Sequence, residues 1–264
     1  MAADKPKQNW TYFHTAFLLI ILVAMPIVAW KAIALGHTRT AWVMSLVFIT
    51  VFVFIAGHGV LGVWRGALLD ERSVISLSRF QMVLWTVIIV SAFFTAAIWN
   101  LYMSVEDPLA IAVPAELWIL LGISTTSLVG TPLILSAKKQ KEPADEEKKE
   151  TIKMLKKQGD TDETIETRGL VVVNLDPRKA RWSDMFTGDE TGNAAHLEMS
   201  KVQMFFFTIV VVLAYALALT KLFADTDAGG FSSFPHIDES MVALLGISHA
   251  GYLVAKAVPR SKTK

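Results

Sequence analysis

At 264 residues the chain has room for one large domain or two small ones. Hydrophobic residues make up 53% of it without counting glycine, above the roughly 45–50% that an ordinary soluble domain reaches with glycine included. Net charge is only +1, and with no cysteine anywhere, disulfides, thiolate metal sites and cysteine nucleophiles are excluded.

The apolar residues come in runs long enough to cross a bilayer, which needs about 20 of them. Residues 1–11 are polar, with Lys5 and Lys7. The run from Phe13 to Ala32–Ile33–Ala34 has the outline of a signal peptide but is long for one, so an uncleaved first span over 12–34 is expected, kinked at Pro26. A short turn with Lys31, His37 and Arg39 leads to a second span over 41–63, and a polar connector over 64–77 follows. The third span is expected at 80–102, an acidic loop with Glu106, Asp107 and Pro114 at 103–116, and the fourth span at 117–137.

Residues 138–199 change character. Lys138 to Lys157 is dense in Lys and Glu and reads as a solvated helix or a disordered stretch. A polar linker (160–167) and a short β-like run, Leu170–Val173, come next. The fifth span is expected at 201–223, a second acidic loop with Asp225, Asp227, Pro235, Asp238 and Glu239 after it, the sixth span at 241–258, and a basic tail at 260–264. The fold class is therefore an all-α membrane protein of six transmembrane helices with a small insert containing a β segment. Its segments are an N-terminal two-helix hairpin (1–64), a first repeat hairpin (65–137), the charged insert (138–199) and a second repeat hairpin with the tail (200–264). Lys and Arg concentrate in the connector, the insert and the tail, while the loops 103–116 and 224–240 contain none. That bias puts both termini and the insert on the cytoplasmic side.

The duplication rests on two matched blocks. Ser78–Arg79–Phe80–Gln81–Met82 returns as Ser200–Lys201–Val202–Gln203–Met204, each with a threonine at the same offset, Thr86 and Thr208. Leu120–Leu121–Gly122–Ile123–Ser124 returns unchanged as residues 244–248. Both copies run in the same order at nearly the same separation, the signature of an internal repeat. Ser-x-x-Gln at the start of a helix is a capping box, with Ser78 and Gln81, or Ser200 and Gln203, in the two roles. Leu77 with Met82, and Met199 with Met204, would add a hydrophobic staple. Arg79 and Lys201 stand where a basic side chain meets anionic lipid phosphate.

The glycines and hydroxyls of the second block suit close helix packing. Alternatively, Ser124, Thr125, Ser127, Ser248 and His249 line a polar path, since polar residues inside a span often mark one. His58 and His249 are the ionisable residues to watch within spans; a redox or metal role is the minor reading, as no carboxylate accompanies them. Gly57-x-Gly59-x-x-Gly62 matches a dinucleotide fingerprint only as a string, because it follows an apolar helix and not a strand. Asp184, Asp189 and Glu190 fit no calcium loop, and Gly188 to Gly192 reads as a turn. Trp182, Met185 and Phe186 are large and apolar in a polar insert, so they are expected to be covered by the chain itself, a second subunit or another protein.

The blocks at 76–86, 181–193, 203–208 and the two Leu-Leu-Gly-Ile-Ser segments together resemble a group of uncharacterised bacterial multi-pass membrane proteins, over roughly residues 65–258. The resemblance implies a bacterial cytoplasmic membrane location and transfers no catalytic residue, since the group has no established activity. The function expected is that of a non-enzymatic scaffold, homo-oligomeric, docking a cytosolic protein through the insert, with no cofactor and no nucleic acid. The alternative is an oligomeric cation channel whose outer mouth carries Glu106, Asp107, Asp225, Asp227, Asp238 and Glu239. A membrane redox subunit is the third.

Overall fold

The computed structural model describes residues 9–159, 161, 165–225 and 229–264; Lys5, Lys7, Asp227 and part of the linker at 160–167 lie outside them. The helices are α1 (Tyr12–Ala34), α2 (Thr38–Leu61), α3 (Leu77–Tyr102), α4 (Ala115–Lys138), α5 (Asp145–Lys157), α6 (Met199–Leu222) and α7 (Glu239–Ala257), with a two-stranded sheet of β1 (Ile165–Arg168) and β2 (Val171–Asn174) after α5. All but α5 are long and apolar enough to cross a membrane. Their exposed side chains are apolar too: Phe17, Ile20 and Val23 on α1, Val129 and Leu133 on α4, and Phe206, Val210, Leu213 and Leu217 on α6. Only lipid is a good solvent for such surfaces. The chain is a multi-pass, six-helix membrane protein with a small β-containing insert. The helices begin two or three residues earlier than the apolar runs at five of the six spans, because their first turns are polar and lie at the boundary of the apolar layer.

Two compact units make up the chain, one of residues 1–67, 87–111 and 223–232, the other of 68–86, 112–222 and 233–264. These units cut across the four sequence segments, and α3 contributes to both.

In the first unit α1 and α2 form a hairpin. The glycines of Gly57-x-Gly59-x-x-Gly62 have packing roles. A Cβ on Gly57 would lie 2.4 Å from the Ala67 nitrogen, and one on Gly59 would lie 2.5 Å from the Trp10 ring. Gly62 closes α2 in the left-handed region at φ 70. Trp42 donates its indole N–H to Ser91 Oγ, and Thr95 donates to Ser45 Oγ. Asn100 brackets Phe231, accepting from its N–H at 2.7 Å and donating to its carbonyl at 2.9 Å.

In the second unit α7 packs against both α4 and α6. The Lys/Glu-rich stretch is ordered as α5. Its first turn is acidic (Asp145, Glu146, Glu147) and its last basic (Lys156, Lys157), which suits the helix dipole. It buries Thr151 and Leu155. β1 and β2 pair antiparallel from Ile165↔Asn174 to Arg168↔Val171; β1 falls in the stretch expected to be a linker. Gly169 turns the hairpin at φ 59, with its missing Cβ position 2.3 Å from the Lys139 carbonyl oxygen, so no other residue fits there. Val171 and Val173 then pack with Leu135 of α4. The tail lies along the start of α5: Ala144 N–H donates to the Lys262 carbonyl and Lys264 N–H to that of Glu142.

Candidate functional site

The repeated Ser-x-x-Gln motif is not a cap. α3 begins at Leu77, which places Ser78 inside the first turn. Ser78 Oγ lies 3.4 Å from both Thr131 Oγ1 and Tyr252 Oη, and the latter two are 3.2 Å apart. Gln81 Nε2 donates to Thr208 Oγ1 at 2.5 Å. The first copy of the motif thus reaches sideways, joining α3 to α4, α6 and α7. The second copy does something else. Ser200 Oγ donates to Glu198 Oε1, Gln203 is exposed, and Met199 is 65% exposed, so no staple covers it. The physical reason is asymmetry of burial: Gln81 is fully buried and must find a partner inside the protein. Its Oε1 still has none among the described residues. Gln81→Met therefore removes an orphaned acceptor as well as a bond, and Thr208 can turn to its own helix. The expected cost is below about 1 kcal/mol in detergent unfolding, far less than the motif's repetition suggests; a loss above about 2 kcal/mol would contradict this.

The second repeated block is likewise split. Ser127 Oγ and His249 Nδ1 are 2.7 Å apart, both buried. Ser124 and Ser248 are also buried, and Ser248 Oγ has no partner among the described residues. Thr125 faces outward and donates to its own helix at Leu121, so it does not share a path with them. A Cβ on Gly122 would meet nothing within 4 Å, so that glycine is not a close-packing contact. His58 is stacked on His14, with His14 Nε2 and His58 Nδ1 3.0 Å apart. The Thr11 N–H donates to His14 Nδ1, so the Nε2 of His14 carries the proton in that pair. Among the described residues no three metal-ligating side chains gather.

Helical spacing turns these residues into a seam. Ser124, Ser127, Thr131 and Lys138 share one face of α4, and His249, Tyr252 and Lys256 one face of α7. The seam ends at a buried ionic hub. Asp189 Oδ1 is 2.7 Å from Arg72 Nη1 and 2.9 Å from Lys201 Nζ, and Oδ2 is 2.7 Å from Lys256 Nζ. The four side chains are between 4% and 8% exposed, so little water screens them. Arg72 is also paired with Asp70 at 2.9 Å, and the Lys256 ammonium stands over the Tyr252 ring. Beside it, Glu190 takes Lys138 Nζ at 2.5 Å and the backbone N–H groups of Arg260 and Ser261 at 3.0 and 3.2 Å. Lys138 also donates to the carbonyls of Lys256 and Val258 at the end of α7.

The turn expected at Gly188 to Gly192 is therefore a turn whose two acids point inward, and Lys201 is spent on Asp189 rather than on lipid phosphate. Burial alone would push the Asp189 carboxyl up, but Arg72, Lys201 and Lys256 outweigh it and hold it well below the usual carboxylate range. Burial opposes charge on Arg72 also, and Asp189 and Asp70 reverse that and raise it. Asp184 is pushed up by burial, although it accepts from the Arg181 N–H at 2.8 Å. A carboxylate shared by three cations is a poor base and a poor nucleophile. What the hub does chemically is bind: it ties the connector (Arg72), the insert (Asp189, Glu190), three spans (Lys138, Lys201, Lys256) and the tail into one ionic knot.

Of the three apolar residues in the insert, Met185 is 3% exposed and covered by the chain itself. Phe186 is half-buried, edge-on to Phe205. Trp182 stays 53% exposed. The sequence offered one signal for the hub: three lysines at the ends of apolar spans, where a charge needs either water or a partner. Compared with known protein families, curated proteins and solved structures, the chain shows no match.

Proposed function

We propose that the chain is a non-enzymatic membrane scaffold that assembles as a homo-oligomer and holds its insert rigidly at the cytoplasmic surface for a soluble protein partner. The observation that carries this reading is the Asp189–Glu190 knot. A segment meant to move would not be fastened by a carboxylate with three buried cations. The surface offered to the partner is the polar face of α5 opposite Thr151 and Leu155, which carries Lys149, Glu150 and Lys153. The channel reading draws less support, because Ser124, Ser127, Ser248 and His249 are buried within a single chain, and Ser127 and His249 are bonded to each other.

The test has two arms. Wild-type protein in planar bilayers is expected to pass no current; a cation current lost in Ser124→Leu with Ser248→Leu would replace the scaffold by the channel. In nanodiscs, wild type is expected to retain one soluble protein stoichiometrically, and Lys149→Glu with Lys153→Glu to release it. Equal retention by that variant would remove α5 as the docking face.

A further inference from the structure

The remaining large apolar side chain of the insert has neighbours that point to what covers it. Trp182 meets Phe80 edge-on, with ring centroids 6.5 Å apart. Phe80 stacks on Phe205 at 5.8 Å, and Phe205 meets Phe206 at 5.7 Å. Phe206 is 59% exposed on the lipid-facing stripe of α6. The rings therefore form an unbroken path from the insert to a surface that lipid must cover. Phe80 lies in the first turn of α3 and Phe205 in the second turn of α6. Trp182 is accordingly near the height at which the spans begin.

Leu197 and Met199, both more than 60% exposed, precede the same stripe of α6. Arg79 adjoins Phe80 in the chain, and Lys179 is exposed three residues before Trp182. An indole with one polar edge, apolar rings behind it and cations close to it in the chain is the combination found in interfacial belts, where the ring sits among headgroups and the cations meet phosphate.

We infer that Trp182 anchors the insert in the headgroup layer of the bilayer, so that this face of the insert is a lipid contact and not a docking site for protein. The inference is independent of the scaffold reading, since α5 and Trp182 are different surfaces. It adds a second attachment for the insert: ionic from within, interfacial from outside.

The chain has no cysteine, so a single nitroxide can be placed without background. Spin labels at Trp182→Cys and, with the indole retained, at Ser183→Cys are measured in phosphatidylcholine vesicles with and without phosphatidylglycerol. Lys149→Cys on α5 is the aqueous reference. The expected result is oxygen accessibility severalfold above the reference with reduced access for a water-soluble nickel chelate, a headgroup-depth signature. Phosphatidylglycerol is expected to strengthen that signature, because Arg79 and Lys179 then meet an anionic headgroup. Nickel access equal to the reference overturns the inference. Protection from both relaxants, or dipolar broadening between labels, overturns it in favour of a protein partner or a second copy. If Trp182→Cys fails to fold, quenching of wild-type fluorescence by lipids brominated near the headgroup, compared with Trp182→Phe, reads the same depth; no difference between the two proteins overturns the inference equally.

Discussion

Asp189→Asn is expected to cost about 3–5 kcal/mol, the range seen when one partner of a buried ion pair is removed and the others are left uncompensated. Asparagine keeps the size and one acceptor oxygen, so the loss measures charge and not shape. Three cations, Arg72, Lys201 and Lys256, would then remain within a few ångströms of one another with little water to screen them. Unfolding in a mixed-micelle denaturant titration, with limited proteolysis of the insert, is the measurement. Arg72→Met in the asparagine background should cost less than Arg72→Met alone, by more than about 1 kcal/mol, because the two side chains share one network. Strict additivity would mean that the hub does not act as a unit. The pH dependence has a definite sign. The Asp189 carboxyl is held below its ordinary value, so its stabilisation is fully present above the unfolded carboxylate pKa of about 3.9. It is lost only as pH falls through the lower folded value. Wild type should accordingly show no change from this group between about pH 8 and pH 5, and should lose the insert's attachment in strong acid.

Glu190→Ala is the second large effect. Glu190 is 2% exposed, and its two oxygens serve different masters: Oε1 takes Lys138, Oε2 the N–H groups of Arg260 and Ser261. Truncation leaves a buried ammonium facing only carbonyls and removes the acceptor of the Arg260 and Ser261 N–H groups, while the tail keeps its bonds to Glu142 and Ala144. A loss of about 3 kcal/mol is expected, at the lower end of the buried-pair range because Lys256 and Val258 carbonyls still receive Lys138. Hydrogen exchange should speed up at Arg260 and Ser261 well before the spans open. Glu190→Gln should recover much of the tail's protection, since an amide oxygen still accepts from backbone N–H, but not the pairing with Lys138. If both variants leave the tail as protected as wild type, Glu190 is not its anchor.

The six spans were legible in the sequence because lipid imposes a length and a composition that short-range residue patterns record. The hub was not. Asp189 and Glu190 lie between two glycines in a polar segment, and nothing local distinguishes inward acids from the solvated acids of an ordinary turn. Their partners stand at residues 72, 138, 201 and 256, and only the packing of helices brings those together. The capping reading of Ser78 and Gln81 failed for a related reason. A local rule accounted for the residues fully, yet burial of Gln81 left its amide to be satisfied across the bundle by Thr208. Gly57, Gly59 and Gly62 show the converse: close approach of Ala67 and the Trp10 ring accounts for the first two, and closure of α2 for the third.

The sideways reach of the first motif copy sets an order in time. Ser78 and Gln81 are made long before their partners, Tyr252 lying 174 residues beyond Ser78 and Thr208 127 residues beyond Gln81. Until α6 has been threaded into the bilayer, the Gln81 amide of α3 has no Thr208 to bond, and until α7 follows, Ser78 has no Tyr252. Asp189 waits in the same way for Lys256, which follows it by two further spans, near the end of α7. The nascent protein is thus a string of inserted helices with open polar positions, and α7 is the piece that closes them together. A chain halted before α7 should be a substrate for membrane quality control rather than a smaller working protein.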